Sequence, residues 1–142
     1  MKIRPGSPSD FDIIKPLMNG WWGGRQVDHL QHELFFDHFT DTVFVAENDE
    51  GETIGFINGF YSQSQSPVAY IHFSGVHPDY RCKGIGKSLY LKFFEKVKSD
   101  GRTIVKATTS PTNESSIHFH EVMGFRTQKD HRGKIVFEKD IA

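Results

Sequence analysis

The 142-residue chain is 37% hydrophobic and 25% charged, a composition of one globular domain over residues 1–142 that excludes a disordered or fibrous chain. Seventeen Lys and Arg against 18 Asp and Glu leave a net charge of −1, which excludes a generally basic nucleic-acid binder. A single cysteine, Cys82, excludes an internal disulfide, and with no apolar run long enough to span a bilayer and no signal-peptide pattern at Met1–Pro5 the expected location is cytoplasmic, without a membrane partner.

Ile3-Arg4 opens a short strand, and Ser7-Pro8-Ser9-Asp10 has the residues of a helix start: a capping hydroxyl, a proline at the first position and an acid in the first turn. This helix is expected to run to about Met18 and to break at Asn19-Gly20. Trp21-Trp22-Gly23-Gly24-Arg25 follows as a loop, and Leu30, Leu34 and Phe35 predict a second helix over Val27–Phe39. Thr42–Glu47 and Glu52–Tyr61 read as paired strands around the turn Asn48-Asp49-Glu50-Gly51. Val68–Val76 is a third long strand, and Ser74-Gly75 near its end marks a place for a bulge. Ile85, Leu89, Phe93 and Val97 recur every four residues and predict an amphipathic helix stopped at Asp100-Gly101. Thr103–Thr109 is strand-like, Asn113–Met123 helical, and Phe125–Gln128 and Ile135–Lys139 are the last strands. The order β-α-α-β-β-β-α-β-α-β-β is that of an α/β layered domain on a mixed sheet.

Charge is unevenly placed. Residues 1–80 hold four basic and eleven acidic residues, a net −7, whereas residues 81–106 hold eight basic and two acidic, a net +6. Within the basic segment, Arg81-Cys82-Lys83-Gly84-Ile85-Gly86-Lys87-Ser88 joins a strand to a helix. The first N–H groups of a helix lack internal partners and lie at its positive dipole end, and two glycines allow close approach, so the segment suits a phosphate or pyrophosphate. It is neither a P-loop nor a dinucleotide fingerprint by spacing. On its own it reads equally as a plain helix-start turn, and the Lys-rich helix as a solvated face.

Arg81-x-x-Gly84-x-Gly86 resembles the pyrophosphate motif [RQ]-x-x-G-x-[GA] of the GNAT superfamily of N-acetyltransferases. Asn113-Glu114-Ser115-Ser116-Ile117-His118-Phe119-His120-Glu121-Val122-Met123-Gly124-Phe125 is similar to that superfamily's N-x-x-A-x-x-x-Y-x-x-x-G-F helix, and the element order fits along the whole chain. The Trp21–Arg25 loop is similar to one found in an uncharacterised branch of the superfamily. The resemblance implies a mixed, mostly antiparallel sheet flanked by about four helices, and acetyl-CoA as donor without a metal. It implies that the amides from Cys82 through Lys83, Gly84, Ile85, Gly86 and Lys87 to Ser88 hold the pyrophosphate beside Arg81. The strand through Ser74 to Val76 would pair with the pantetheine arm, with Asn113, Ser116 and Phe119 along it. It also implies an amine acceptor, small molecule rather than protein, and allows a homodimer.

Two positions depart from the pattern: Ser116 stands for the alanine and His120 for the tyrosine that protonates the departing thiolate. Asn113, Ser116 and His120 share one helix face, so His120 is either a protonated donor at the sulfur or a residue packed beside Phe119. An attacking amine must lose a proton. The expected base is His72, with Glu33 and Asp37 as alternatives, and the expected oxyanion donors are amides of a bulge near Ser74–Val76. Trp21, Trp22, Phe35 and Phe39 either line the acceptor cleft or fill the core. His29, His32 and His38 lack a metal-site pattern. The rival to an N-acetyltransferase is a CoA-binding sensor without turnover, motivated by the missing tyrosine.

Overall fold

Residues 1–142 are described by a computed structural model, and β1 (Lys2–Pro5) leads through Gly6-Ser7 into α1 (Pro8–Trp21). Arg4 fixes this corner. Its guanidinium holds both carboxylate oxygens of the buried Asp10, at 2.9 and 2.7 Å, and Nε reaches Glu47 at 2.7 Å. Asp10 in turn accepts the Ser7 N–H at 2.8 Å, tying up an orphan donor at the helix start. Burial opposes the charge on Asp10, yet Arg4 and Ser7 hold its carboxyl below the usual range.

The chain continues through α2 (Leu34–His38), β2 (Val43–Glu47), β3 (Thr53–Tyr61), β4 (Val68–Val76), α3 (Ile85–Ser99), β5 (Ile104–Thr109), α4 (Glu114–Val122), β6 (Arg126–Lys129) and β7 (Ile135–Asp140). The seven strands form one sheet in the order β1-β2-β3-β4-β5-β7-β6, antiparallel except at β4–β5. Apolar residues alternating along β3 and β4 divide between two cores. Ile57, Ala69 and Ile71 pack with Ile85, Leu89, Phe93 and Val97 of α3, while Phe56 packs with Ile14, Met18 and Trp21 of α1.

The region after α1 differs from the helix expected over Val27–Phe39. It is a 3-10 turn at Asp28–Leu30, an extended residue at Gln31, the five-residue α2, and a second 3-10 turn at Thr40–Thr42. Two polar side chains cause the break. Asn19 Oδ1 accepts the N–H groups of Val27 and Asp28, and Gln31 turns inward so that its amide donates to Asn58 at 2.8 Å, both side chains buried. Asn19 also does not end α1; the helix runs to Trp21, with Asn19 serving the next turn from inside it.

Candidate active site

β4 and β5 are paired only over Val68–Tyr70 and Ile104–Lys106, after which β5 follows β7 and β4 runs on alone to Val76. The sheet therefore opens beside residues 71–76 of β4. His77 donates its N–H to Ile54 of β3, so strand alternation turns the main-chain groups of Val76 and Ser74 the other way, toward the opening. An extended ligand can add there as a further strand.

The loop to α3 starts where that edge ends. Cys82 and Gly84 both take left-handed backbone conformations, φ 62° and 81°, which swing the chain into the helix start. The main-chain N–H groups from Cys82 to Lys87 make no intramolecular hydrogen bond; the first in the series to do so is Ser88, to the Gly84 carbonyl at 3.0 Å. Unpaired amides at a helix start, with Lys83 and Lys87 exposed beside them, form an anion-binding nest. Gly86 has room for its role: a Cβ there would stand 3.5 Å from the Phe119 ring and 3.7 Å from Val76. Phe119, Val76 and Gly86 thus form one wall at the mouth of the opening. Asn113 caps α4 through the Ser116 N–H at 3.3 Å and donates to Thr109 Oγ1 at 3.2 Å, which fixes α4 against the end of β5.

Arg81 stands differently from the expected phosphate ligand. Its Nε donates to the Val76 carbonyl at 3.1 Å and its Nη2 to the Trp21 carbonyl, so it fastens the end of α1 to the end of β4.

His120 lies at the inner end of the opening, buried and stacked on Phe137 with centroids 3.8 Å apart. A carbonyl only accepts, so the 2.7 Å contact with Ser116 O makes Nδ1 the protonated nitrogen. Nε2 then accepts from the Tyr90 hydroxyl at 2.9 Å, and Tyr90 Oη lies 3.3 Å from Ser74 Oγ. Burial lowers the His120 pKa to about 4, so at neutral pH it is the neutral imidazole; of the two roles open in the sequence this fits the packed residue and not the protonated donor. Tyr90, which sequence reasoning did not single out, is fully enclosed, and burial raises its hydroxyl to about 12.

On the other face of the sheet, His72 is exposed and donates Nε2–H to the Leu30 carbonyl at 2.8 Å, which leaves Nδ1 free to accept. Its ring stacks on Phe35 at 4.6 Å. His72 is also the bulge: Asn58 pairs with Phe73 and Gly59 with Ile71, so the irregularity expected at Ser74–Gly75 lies two residues earlier. Gly59 makes this possible, because a Cβ there would meet the Tyr70 carbonyl at 2.1 Å. Gly75 has another task, seating the Trp22 ring, whose edge would be 2.5 Å from a Cβ. Trp22 also meets Phe73 edge-on at 5.2 Å. Trp21 is core, 4% exposed against Phe56 and His77, whereas Phe39 is 37% exposed and lies farther out against Phe35 and Phe60. Glu33 and Asp37 are exposed near α2, and no group of three or more His, Cys, Asp or Glu side chains is placed to hold a metal.

The model of the acetyltransferase (GNAT) family matches residues 11–125. The chain belongs to this family. Among GNAT relatives, an uncharacterized N-acetyltransferase of Methanocaldococcus jannaschii is 33% identical over 105 residues, covering 71% of this chain and 46% of that protein, so the chain matches about half of its length. An L-2,4-diaminobutyric acid acetyltransferase of Virgibacillus pantothenticus is 30% identical over 95 residues, 63% of this chain and 59% of the relative. In fold, the chain is similar to a diaminobutyrate acetyltransferase of Paenibacillus lautus in complex with L-2,4-diaminobutyric acid and coenzyme A, with TM-score 0.75, 20% identity, and 98% and 93% of the two chains covered. It is also similar to the PaiA N-acetyltransferase of Thermoplasma acidophilum in complex with coenzyme A, with TM-score 0.77, 18% identity and 98% of each chain covered. The amide nest at Gly86 thus meets both the end of β4, at Val76, and α4, at Phe119, and no helix is long and apolar enough to cross a membrane.

Proposed function

We propose that the chain moves an acetyl group from acetyl-CoA to a primary amine by direct attack on the thioester. The observation that carries this reading is the row of unpartnered amides from Cys82 to Lys87 at the end of an unpaired strand edge in a GNAT chain. In this reading the amides of Cys82, Lys83, Gly84, Ile85, Gly86 and Lys87 hold the diphosphate, joined by the Ser88 hydroxyl. Ser74 and Val76 meet the pantetheine arm on one side, and Asn113, Ser116 and Phe119 meet it on the other. Arg81 serves this site by holding the Val76 carbonyl.

The acceptor approaches from the face of Trp22, Phe35 and His72. Attack of the amine nitrogen on the thioester carbon breaks the C–S bond, releases CoA as the thiolate and leaves the nitrogen with one proton in excess. Nδ1 of His72 takes that proton, because Nε2 is fixed as the donor to Leu30. Phe35 orients the ring by stacking. Trp21 shapes this face only through its neighbour Trp22, and Phe39 lies at the outer end near α2, where a longer acceptor would reach. The Trp21–Arg25 loop would then distinguish the branch by its acceptor. Diaminobutyric acid acetyltransferases among the relatives make a small diamine the first acceptor to try.

The test is acetyl-CoA-dependent thiol release with a panel of small amines. Acceptor-dependent release, lowered at least tenfold in His72→Gln without change in acetyl-CoA affinity, is the expected result. Binding of acetyl-CoA with no release for any amine would convert the reading to a CoA-responsive sensor.

A further inference from the structure

We infer that the Ser74 hydroxyl is the hydrogen-bond donor that meets the departing sulfur, with Tyr90 and His120 as positioning residues behind it. The inference rests on the acetyl-transfer reading and deepens it at one atom. Expulsion of the thiol group leaves a negative charge on sulfur at the inner end of the strand opening, and a buried charge there needs a donor. Apart from the Ser116 hydroxyl, which lies 3.4 Å from Nδ1 of His120, on the side of the ring away from Tyr90, three groups with exchangeable protons converge on that end: Ser74 from β4, Tyr90 from α3 and His120 from α4.

Hydrogen-bond bookkeeping eliminates two of them. The one proton on neutral His120 is on Nδ1 and is held by the Ser116 carbonyl at 2.7 Å. The Tyr90 proton is held by His120 Nε2 at 2.9 Å, and turning it away would leave that nitrogen buried without a partner. The Ser74 proton is the mobile one. Its contact with Tyr90 is 3.3 Å, longer than an ordinary O–H···O bond, and Ser74 is half-buried on the part of β4 that has no β5 neighbour. Turning it outward to sulfur leaves both bonds behind it intact.

The proton stays on the serine oxygen, since an alcohol is a far weaker acid than a thiol. The hydroxyl therefore stabilises S⁻ by a charge-assisted hydrogen bond, and the thiolate is neutralised afterwards from solvent. Tyr90 and His120 fix where Ser74 Oγ sits: His120 anchors the phenol, and the phenol limits the serine rotamer. On this account the histidine is tolerated at position 120 because its neutral ring, stacked on Phe137, only has to accept a hydrogen bond.

The decisive readout is the ionisation of the CoA thiol in the binary complex, followed by thiolate ultraviolet absorbance against pH. A free thiol ionises near about 8.5; burial raises this and one hydrogen bond to the charged form lowers it by about one unit, so the shift that reads the bond alone is that of wild type relative to Ser74→Ala. Wild type is expected to show that shift, Ser74→Ala to lose it, and Ser74→Thr to restore it. Turnover of Ser74→Ala should fall roughly ten- to hundredfold in kcat, the range of one charge-assisted hydrogen bond, with KM for acetyl-CoA within about twofold. His120→Gln, whose side-chain oxygen can accept from Tyr90, should keep more of the shift than His120→Leu. A bound thiol that ionises at the same pH in Ser74→Ala as in wild type overturns the inference while leaving acetyl transfer standing. Failure to bind CoA at all overturns both.

Discussion

Gly75→Ala separates the two halves of the site. The backbone at Gly75 has no left-handed conformation to strain, so the effect comes from the methyl group alone. That carbon would stand 2.5 and 2.9 Å from two atoms of the Trp22 ring and 3.0 Å from Phe56. Ordinary contact needs about 3.5–4.0 Å, so something must move by roughly 1 Å. Phe56 is wholly buried and Gly75 is paired with it across the sheet, so the half-buried Trp22 moves. Overpacking costs about 1–3 kcal/mol, and replacing a strand glycine returns about 0.5–1 kcal/mol, for a net loss of up to about 2.5 kcal/mol, centred near about 1 kcal/mol. In a domain of this size the central value lowers Tm by roughly 3–5 °C. Thermal unfolding, acetyl-CoA titration and acceptor kinetics should be measured on the same sample. The expected pattern is a modest Tm loss, acetyl-CoA affinity within about twofold, and acceptor kcat/KM down at least tenfold. A folded variant with unchanged acceptor kcat/KM would refute the reasoning that Trp22, seated on Gly75, shapes the acceptor face.

Asp10→Asn removes the carboxylate that Arg4 grips and should lower urea-unfolding stability by about 2–3 kcal/mol, less than a wholly buried pair because Arg4 is 28% exposed. Because the folded Asp10 carboxyl is held below its unfolded value, wild type should lose this contribution only as pH falls below the carboxylate range, and the variant should lack that loss. His120 acts in a different window. The unfolded imidazole takes a proton near pH 6.5, and the folded one only at about 4, so wild-type stability should fall by about 3 kcal/mol from pH 6.5 to 4. His120→Phe should flatten that stretch of the stability curve. Arg81→Gln removes the tie between Trp21 and Val76; unfolding stability should drop by about 1–3 kcal/mol, and KM should rise for acetyl-CoA and acceptor together.

The strands and α3 were legible from local signals: a run rich in β-branched and aromatic residues in Val68–Val76, and spacing by four in Ile85, Leu89, Phe93 and Val97. The nest at Cys82–Lys87 was legible because two glycines and a helix start are local features, whereas the turn of Arg81 toward Val76 and Trp21 was not. The helix expected over Val27–Phe39 failed because Gln31 answers to Asn58, a partner 27 residues away that no local pattern reports. Tyr90 was hidden for a related reason: it sits on the apolar stripe of α3, and only the packing of α4 shows that its hydroxyl meets His120. The position of the bulge depends on Gly59 passing Tyr70 on the neighbouring strand, so the strand's own sequence pointed to Ser74–Gly75 and gave no sign of His72.

In the proposed function the unpaired amides at the start of α3 grip the diphosphate of coenzyme A. Isothermal titration of the purified chain with CoA tests it most directly. Binding is expected to be saturable and one-to-one, displaced by acetyl-CoA and strongly weakened in Gly84→Val, where φ of 81° forbids a branched side chain. Absence of binding at millimolar CoA, or equal binding by a folded Gly84→Val variant, would contradict it.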